Sequence, residues 1–291
     1  MSETAIVPEL LAQIRRIHLV ARRLADSLTA GSYRSAFRGH GLEFDQVREY
    51  VPGDDVRAID WKVTARLGRP FVKSYREERE LSIVIACDVS ASTQAALCRN
   101  SRATAIAHIG AFLALLARKG NDRVGLTFFS DHVEYYLPPR KVRSQAWRIV
   151  HELLAPRPAS HATKLSSMAK FLSQTLKRRS VVYILSDFID AGYERELLAL
   201  AKRHEVVAVI VHDETDRELP NVGLLEVRDP ETGERELIDT ARMAGRVRYD
   251  GVLEQRRVDQ RQGLRKMGVD VLEVRTDRPF VPVFRRYFEE R

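Results

Sequence analysis

Two stretches of the chain, Leu81–Cys87 and Val181–Leu185, are apolar on both sides of an extended backbone. A strand with two apolar faces is stable only inside a sheet covered above and below, and helices returning the chain between parallel strands supply that cover. The rest of the chain reads accordingly. Arg102–Lys119 has the pattern of a helix apolar on most sides, closed by Gly120, and further helices are expected at about 142–155, 164–178, 193–203 and 250–267, the last stopped by Gly268. Val124–Phe129, Val206–Val211 and Val269–Val274 read as further strands, with His132–Leu137 an antiparallel neighbour. Residues 222–240 read as a hairpin turning at Asp229-Pro230-Glu231-Thr232-Gly233. The expected class is α/β, a mostly parallel sheet with helices on both faces.

Ahead of this regular region the pattern differs. Leu10, Leu11, Ile14, Ile17, Leu24 and Leu28 space an amphipathic helix over 8–28, whereas residues 31–70 are rich in Gly, Asp and Arg and read as ordered loops and short strands. No apolar run reaches the roughly 18–20 residues of a membrane helix. The Met-Ser-Glu-Thr start lacks a secretory pattern, and Cys87 and Cys98 read as reduced thiols, so a cytoplasmic protein without membrane insertion is expected. The net charge of +8 is uneven: residues 81–179 hold 15 basic and 5 acidic side chains, residues 180–241 hold 6 and 15. The basic region suits a nucleic acid or an acidic partner, or else the two segments offset each other on one surface. The aromatic-basic interleaving of single-strand binders is missing, which favours the second reading.

Chemistry concentrates at strand ends. Asp88-Val89-Ser90-Ala91-Ser92 follows the first apolar strand directly, and residues at i, i+2 and i+4 of an extended loop converge on one point. Ser186-Asp187 ends the strand Val181–Leu185, and Thr163 opens a helix between the two. In open α/β sheets ligands sit outside the carboxyl ends of strands, where the strand order reverses. Asp88, Ser90, Ser92, Thr163 and Asp187 are all hard oxygen donors, a set suited to Mg²⁺ or Mn²⁺ rather than Zn²⁺. The bland alternative has Asp88, Ser90 and Asp187 capping the helices that follow. His161 and His212-Asp213 read as loop and strand-end turn residues.

This pattern of Asp-x-Ser-x-Ser, later Thr and later Asp resembles the metal-ion-dependent adhesion site of von Willebrand factor A domains. The resemblance implies a three-layer, Rossmann-like von Willebrand factor A fold, with hydroxyls touching the metal directly and aspartates often through water. A partner's carboxylate is then the last ligand. His161 and Ala162 stand where that family often has glycines.

A second block is long and unusual: Phe37-Arg38-Gly39-His40-Gly41-Leu42-Glu43-Phe44, then Arg48 through Trp61, then Ala65-Arg66. Placed before an adhesion-type site, it resembles the bacterial family catalogued as domain of unknown function 58. That resemblance spans nearly the whole chain. It implies a non-enzymatic partner or adaptor of a MoxR-type AAA+ ATPase in chaperone-like maturation or assembly of other proteins. The expected layout is an N-terminal extension over 1–74, a von Willebrand factor A-like domain over 75–276 and a C-terminal segment, 277–291, packing on it. Physically, Arg38, Arg48, Arg57 and Arg66 interleave with Glu43, Glu49, Asp54, Asp55 and Asp60, and Arg pairs bidentately with carboxylates. The block is either a docking surface or an internal ion-pair scaffold, with Trp61 as an anchor.

Other classes fit less well. A Mg²⁺-dependent phosphohydrolase or phosphotransferase places a nucleophilic Asp after the first buried strand, as Asp88 is placed, but its usual second acid two positions on is Ser90 here. No Gly-rich phosphate loop ending in Gly-Lys-Ser/Thr occurs.

Overall fold

A computed structural model describes residues 43–76, 80–94, 101–154, 160, 162–213, 222–228, 235–241 and 243–291. The helix expected over 8–28, together with Arg38, Cys98, His161 and the hairpin turn at 229–233, lies outside the described residues. The chain divides into two compact units, one spanning Phe37–Glu80 and the other carrying Leu81–Arg291.

In the smaller unit, strand β1 (Glu43–Glu49) is followed by a 3₁₀ turn (Val56–Ala58), helix α1 (Trp61–Leu67) and strand β2 (Phe71–Arg76), which pairs antiparallel with β1. Two acids of this segment hold backbone turns. Asp60 caps α1, accepting from the N–H groups of Lys62 and Val63 at 3.0 and 3.3 Å. Gly68, at φ 66°, ends the helix in the left-handed conformation that glycine adopts without strain. Asp55 accepts from the Arg57 N–H at 2.9 Å.

The larger unit opens with β3 (Ser82–Asp88), the short helix α2 (Ala91–Gln94), α3 (Arg102–Lys119), β4 (Arg123–Phe129) and β5 (Val133–Arg140). It continues with α4 (Arg143–Leu154), α5 (Leu165–Thr175), β6 (Val181–Ser186), α6 (Glu194–Ala201) and β7 (Glu205–His212). The hairpin β8 (Leu224–Arg228) and β9 (Arg235–Asp239) precedes α7 (Met243–Lys266), β10 (Asp270–Arg275) and α8 (Val281–Glu290). Among the described residues the main sheet has the order β10-β7-β6-β3-β4-β5, with β5 alone antiparallel.

Alternation along the strands divides the core. Val84, Ala86, Val182 and Ile184 pack with Leu165, Met168 and Leu172 of α5, Leu197 and Leu200 of α6 and Leu264 of α7. On the other side Phe112 of α3 meets Phe280 and Phe284 at ring-centroid distances of 5.6 and 5.5 Å, so the C-terminal segment packs on the sheet's unit through α8. The β4–β5 edge is tight. A Cβ on Gly125 would lie 2.6 Å from the Leu137 carbonyl oxygen, at the irregular register between Val124 and Leu126. Gln145 of α4 donates to the carbonyls of Val124 and Pro138 there, at 3.1 and 2.9 Å. Pro138 and Pro139 suit an edge strand, where a missing N–H costs no ladder bond. Among the described residues no helix is long and apolar enough to cross a membrane.

From β3 the chain moves outward through β4 to β5, then returns to lay β6 on the other side of β3. The order therefore reverses between the carboxyl ends of β3 and β6, the place where open α/β sheets hold their ligands.

Candidate functional site

Asp88 ends β3 and Ser186 ends β6, and the parallel pairing of Cys87 with Leu185 sets the two side by side. Asp88 Oδ1 accepts from the Ser90 N–H at 2.9 Å, and its Oδ2 accepts from the Ser186 hydroxyl at 2.6 Å. The Ser90 and Ser92 hydroxyls lie 3.1 Å apart. Thr93 donates its hydroxyl to the Ser90 carbonyl at 2.8 Å, and Arg102 of α3 donates to the Ser92 carbonyl at 3.0 Å, which together hold the loop in place. Asp88, Ser90, Ser92, Thr163 and Asp187 are all buried.

The capping alternative accounts for half of each carboxylate. Asp187 Oδ1 accepts from the Ile189 N–H at 3.0 Å, the counterpart of Asp88 on Ser90, but among the described residues Asp187 Oδ2 is buried without a hydrogen-bond partner. Burial raises the Asp88 carboxyl to about 7, and the negative charge of Asp187 adds to the rise against the lowering hydrogen bonds of Ser186 and Ser90. Burial, and then the Asp88 charge, push the neighbouring Cys87 thiol well above its ordinary range, so this thiol is an inert core group.

Thr163 lies in the loop before α5, whose placement is shared with its neighbours. The Lys164 N–H donates to the Ser130 carbonyl beyond β4 at 2.9 Å, and the Leu165 N–H donates to Asp190 Oδ2 at 2.7 Å. Asp190 therefore caps α5 from the loop that follows Asp187 and ties the two loops together, a role the sequence reading did not assign. Ser186 was legible only as Asp187's neighbour, yet it links the two strands.

After Asp187 the backbone turns a strained corner. Phe188 has φ 56°, a left-handed conformation that costs a bulky residue on the order of 1–2 kcal/mol. Three ties hold it: the Phe188 N–H donates to Ser186 Oγ at 3.0 Å, its ring is buried in the α5–α6 side of the core, and Gln260 of α7 donates to its carbonyl at 2.8 Å.

In the smaller unit Arg48 makes a bidentate pair with Asp54 at 2.7 and 2.6 Å, and this pair holds the Asp54 carboxyl down at about 2. Asp55 and Asp60 each turn one carboxylate oxygen to backbone N–H groups, those of Arg57 and of Lys62 and Val63, and no ion pair joins Arg57 or Arg66 to a carboxylate among the described residues. Glu43 lies on β1. Trp61, read as an anchor, is 68% exposed at the first turn of α1.

Among the described residues no three or more His, Cys, Asp or Glu side chains gather as a metal cage. Any cation here would rest on two carboxylates with hydroxyls and water. That donor set fits a hard divalent ion: among the described residues Asp187 Oδ2 has no hydrogen-bond partner, and the Asp187 charge bears on the buried Asp88 carboxyl.

Fold and site together define an α/β protein with a hydroxyl–carboxylate cluster at the switch point of a mostly parallel sheet. A family model described as "Protein of unknown function DUF58" matches residues 46–259. Uncharacterized protein Rv1480 of Mycobacterium tuberculosis (strain ATCC 25618 / H37Rv) is 32% identical over 290 residues, covering 98% of this chain and 90% of that protein. The chain belongs to the DUF58 family. Among solved structures, it is similar to BatB from Bacteroides thetaiotaomicron, with a TM-score of 0.45 and 14% identity, covering 72% of this chain and 98% of that one. An aerotolerance-related membrane protein from Bacteroides fragilis gives a TM-score of 0.47 and 14% identity, covering 72% and 97%.

Proposed function

We propose that this chain is a non-enzymatic, metal-dependent protein-binding module whose main unit is a von Willebrand factor A-like domain. Asp88, Ser90, Ser92, Thr163 and Asp187 would hold Mg²⁺ (or Mn²⁺) in an adhesion-type site. When bound, the ion supplies an electrophilic position for a carboxylate on the partner. Following the family resemblance, the partner is a MoxR-type AAA+ ATPase or its client in the cytoplasm, and the role is chaperone-like maturation or assembly.

The observation that carries this reading is the Asp187 oxygen, buried without a hydrogen-bond partner among the described residues, beside the raised carboxyl of Asp88. Two buried carboxylates of like charge are costly together, and a divalent cation between them turns the repulsion into attraction. The chain's own residues prepare the place. Ser186 orients Asp88, Thr93 and Arg102 hold the serine loop, and Asp190 holds the loop of Thr163 against that of Asp187.

Calorimetric titration of the purified protein with Mg²⁺ is expected to give a weak isotherm that Asp88→Ala abolishes. Ser90→Ala and Thr163→Ala should weaken it about tenfold with the fold intact by circular dichroism. In a tagged pull-down, an AAA+ ATPase identified by mass spectrometry is expected with Mg²⁺ and lost with EDTA or Asp88→Ala. Equal capture in EDTA would overturn the metal bridge, and Mg²⁺-dependent phosphoester turnover lost in Asp88→Asn would replace this reading with an enzyme.

A further inference from the structure

Asp187 belongs to a corner that does not stand by itself. Its Oδ1 is bound to the Ile189 N–H, and the Phe188 that follows sits at φ 56°, so the direction of the free Oδ2 depends on that conformation persisting. The Phe188 N–H and ring are held from within the strand end and the core. The carbonyl side is held from elsewhere. Gln260, seventy-odd positions later in the chain on α7, donates its Nε2 to the Phe188 carbonyl at 2.8 Å and reaches the Asp187 carbonyl at 3.3 Å. One amide thus spans both carbonyls of the turn that aims the carboxylate.

We infer that Gln260 is a positioning residue for the Asp187 carboxylate, coupling helix α7 to the site at the ends of β3 and β6. This rests on the proposed metal-binding reading of that site. Gln260 itself need not touch a ligand. It is half-buried in the wall of a groove with Phe188, Asp190, Tyr193 and Met267, so replacing it removes a clamp and not a piece of the core. Glutamine suits the position because its NH₂ donates, while a carboxylate of the same shape presents only acceptors to two carbonyl oxygens.

The test measures Mn²⁺ affinity by electron paramagnetic resonance on the full chain, with thermal melting alongside. Gln260→Glu and Gln260→Leu are each expected to weaken Mn²⁺ binding about tenfold, the loss typical of removing a hydrogen bond that orients a ligand. Gln260→Lys, which restores a donor, is expected to recover part of it. Gln255→Ala serves as the control on the same helix. Its side chain bonds Asp259 at 2.8 Å and not the corner, so its affinity should stay within twofold of the wild type. Wild-type binding with unchanged affinity in both Gln260→Glu and Gln260→Leu would overturn the positioning role while leaving the metal site standing. A wild type that takes up no Mn²⁺ would instead remove the site itself. A lowered melting temperature with unaltered affinity would show Gln260 to be structural only.

Discussion

Asp88 is the residue at which stability and the proposed function pull against each other. Its carboxyl titrates near 7 in the folded chain, against about 4 in an unfolded one. The folded state therefore holds a proton that the unfolded state has released between those values. Stability falls as pH rises from about 4 to 7 and is flat for this group above that. In EDTA, the wild type is expected to lose about 2 kcal/mol relative to Asp88→Asn between pH 5 and pH 8, read from paired urea melts. Excess Mg²⁺ should recover that loss in the wild type and leave Asp88→Asn unmoved. Parallel pH profiles for the two proteins would contradict the buried-repulsion account. The motif Asp88-x-Ser90-x-Ser92 was legible in the sequence because its geometry is local, set by alternation along five residues. Ser186, Asp190 and Gln260 were not, because nothing near them in the chain reveals which distant loop they tie.

At the scale of elements, doubly apolar runs are readable since both faces of the strand must be covered, and β3 and β6 formed where those runs lie. Helix α1 escaped the reading. Seven residues carry too little apolar period to register, although Asp60 before and Gly68 after it are ordinary start and stop signals. Helix α7 runs from Met243, earlier than the expected 250, because Gly245 and Gly251, poor helix formers, interrupt the pattern of its first turns. The β4–β5 edge shows what a single missing side chain permits. Gly125→Ala would press a Cβ against the backbone of Leu137 and Pro139. Backbone yields less readily than a side-chain end, so this change is expected to destabilise by about 2 kcal/mol, measured by denaturant midpoint, with Mg²⁺ affinity retained in the folded fraction. No change in midpoint would mean the edge strand shifts freely.

For the molecule as a whole, the bond from Ser186 to Asp88 joins residues 98 positions apart, a direct side-chain link between the two halves of the site. Helices and the β4–β5 hairpin assemble from nearby residues, whereas β6 reaches β3 only after that long loop has closed. A cation therefore has no complete place to bind in a collapsed but unfinished chain. It would bear on the unfolding rate and leave the folding rate almost untouched, since contacts formed after the transition state act on escape from the native state. Stopped-flow experiments should show Mg²⁺ lowering the unfolding limb of the chevron with the refolding limb superimposed. A refolding rate that climbs with Mg²⁺ would place the pairing of β3 with β6 early. During synthesis, the same order means that the proposed metal site could not be complete until the chain through Asp187, roughly two-thirds of the 291 residues, has left the ribosome.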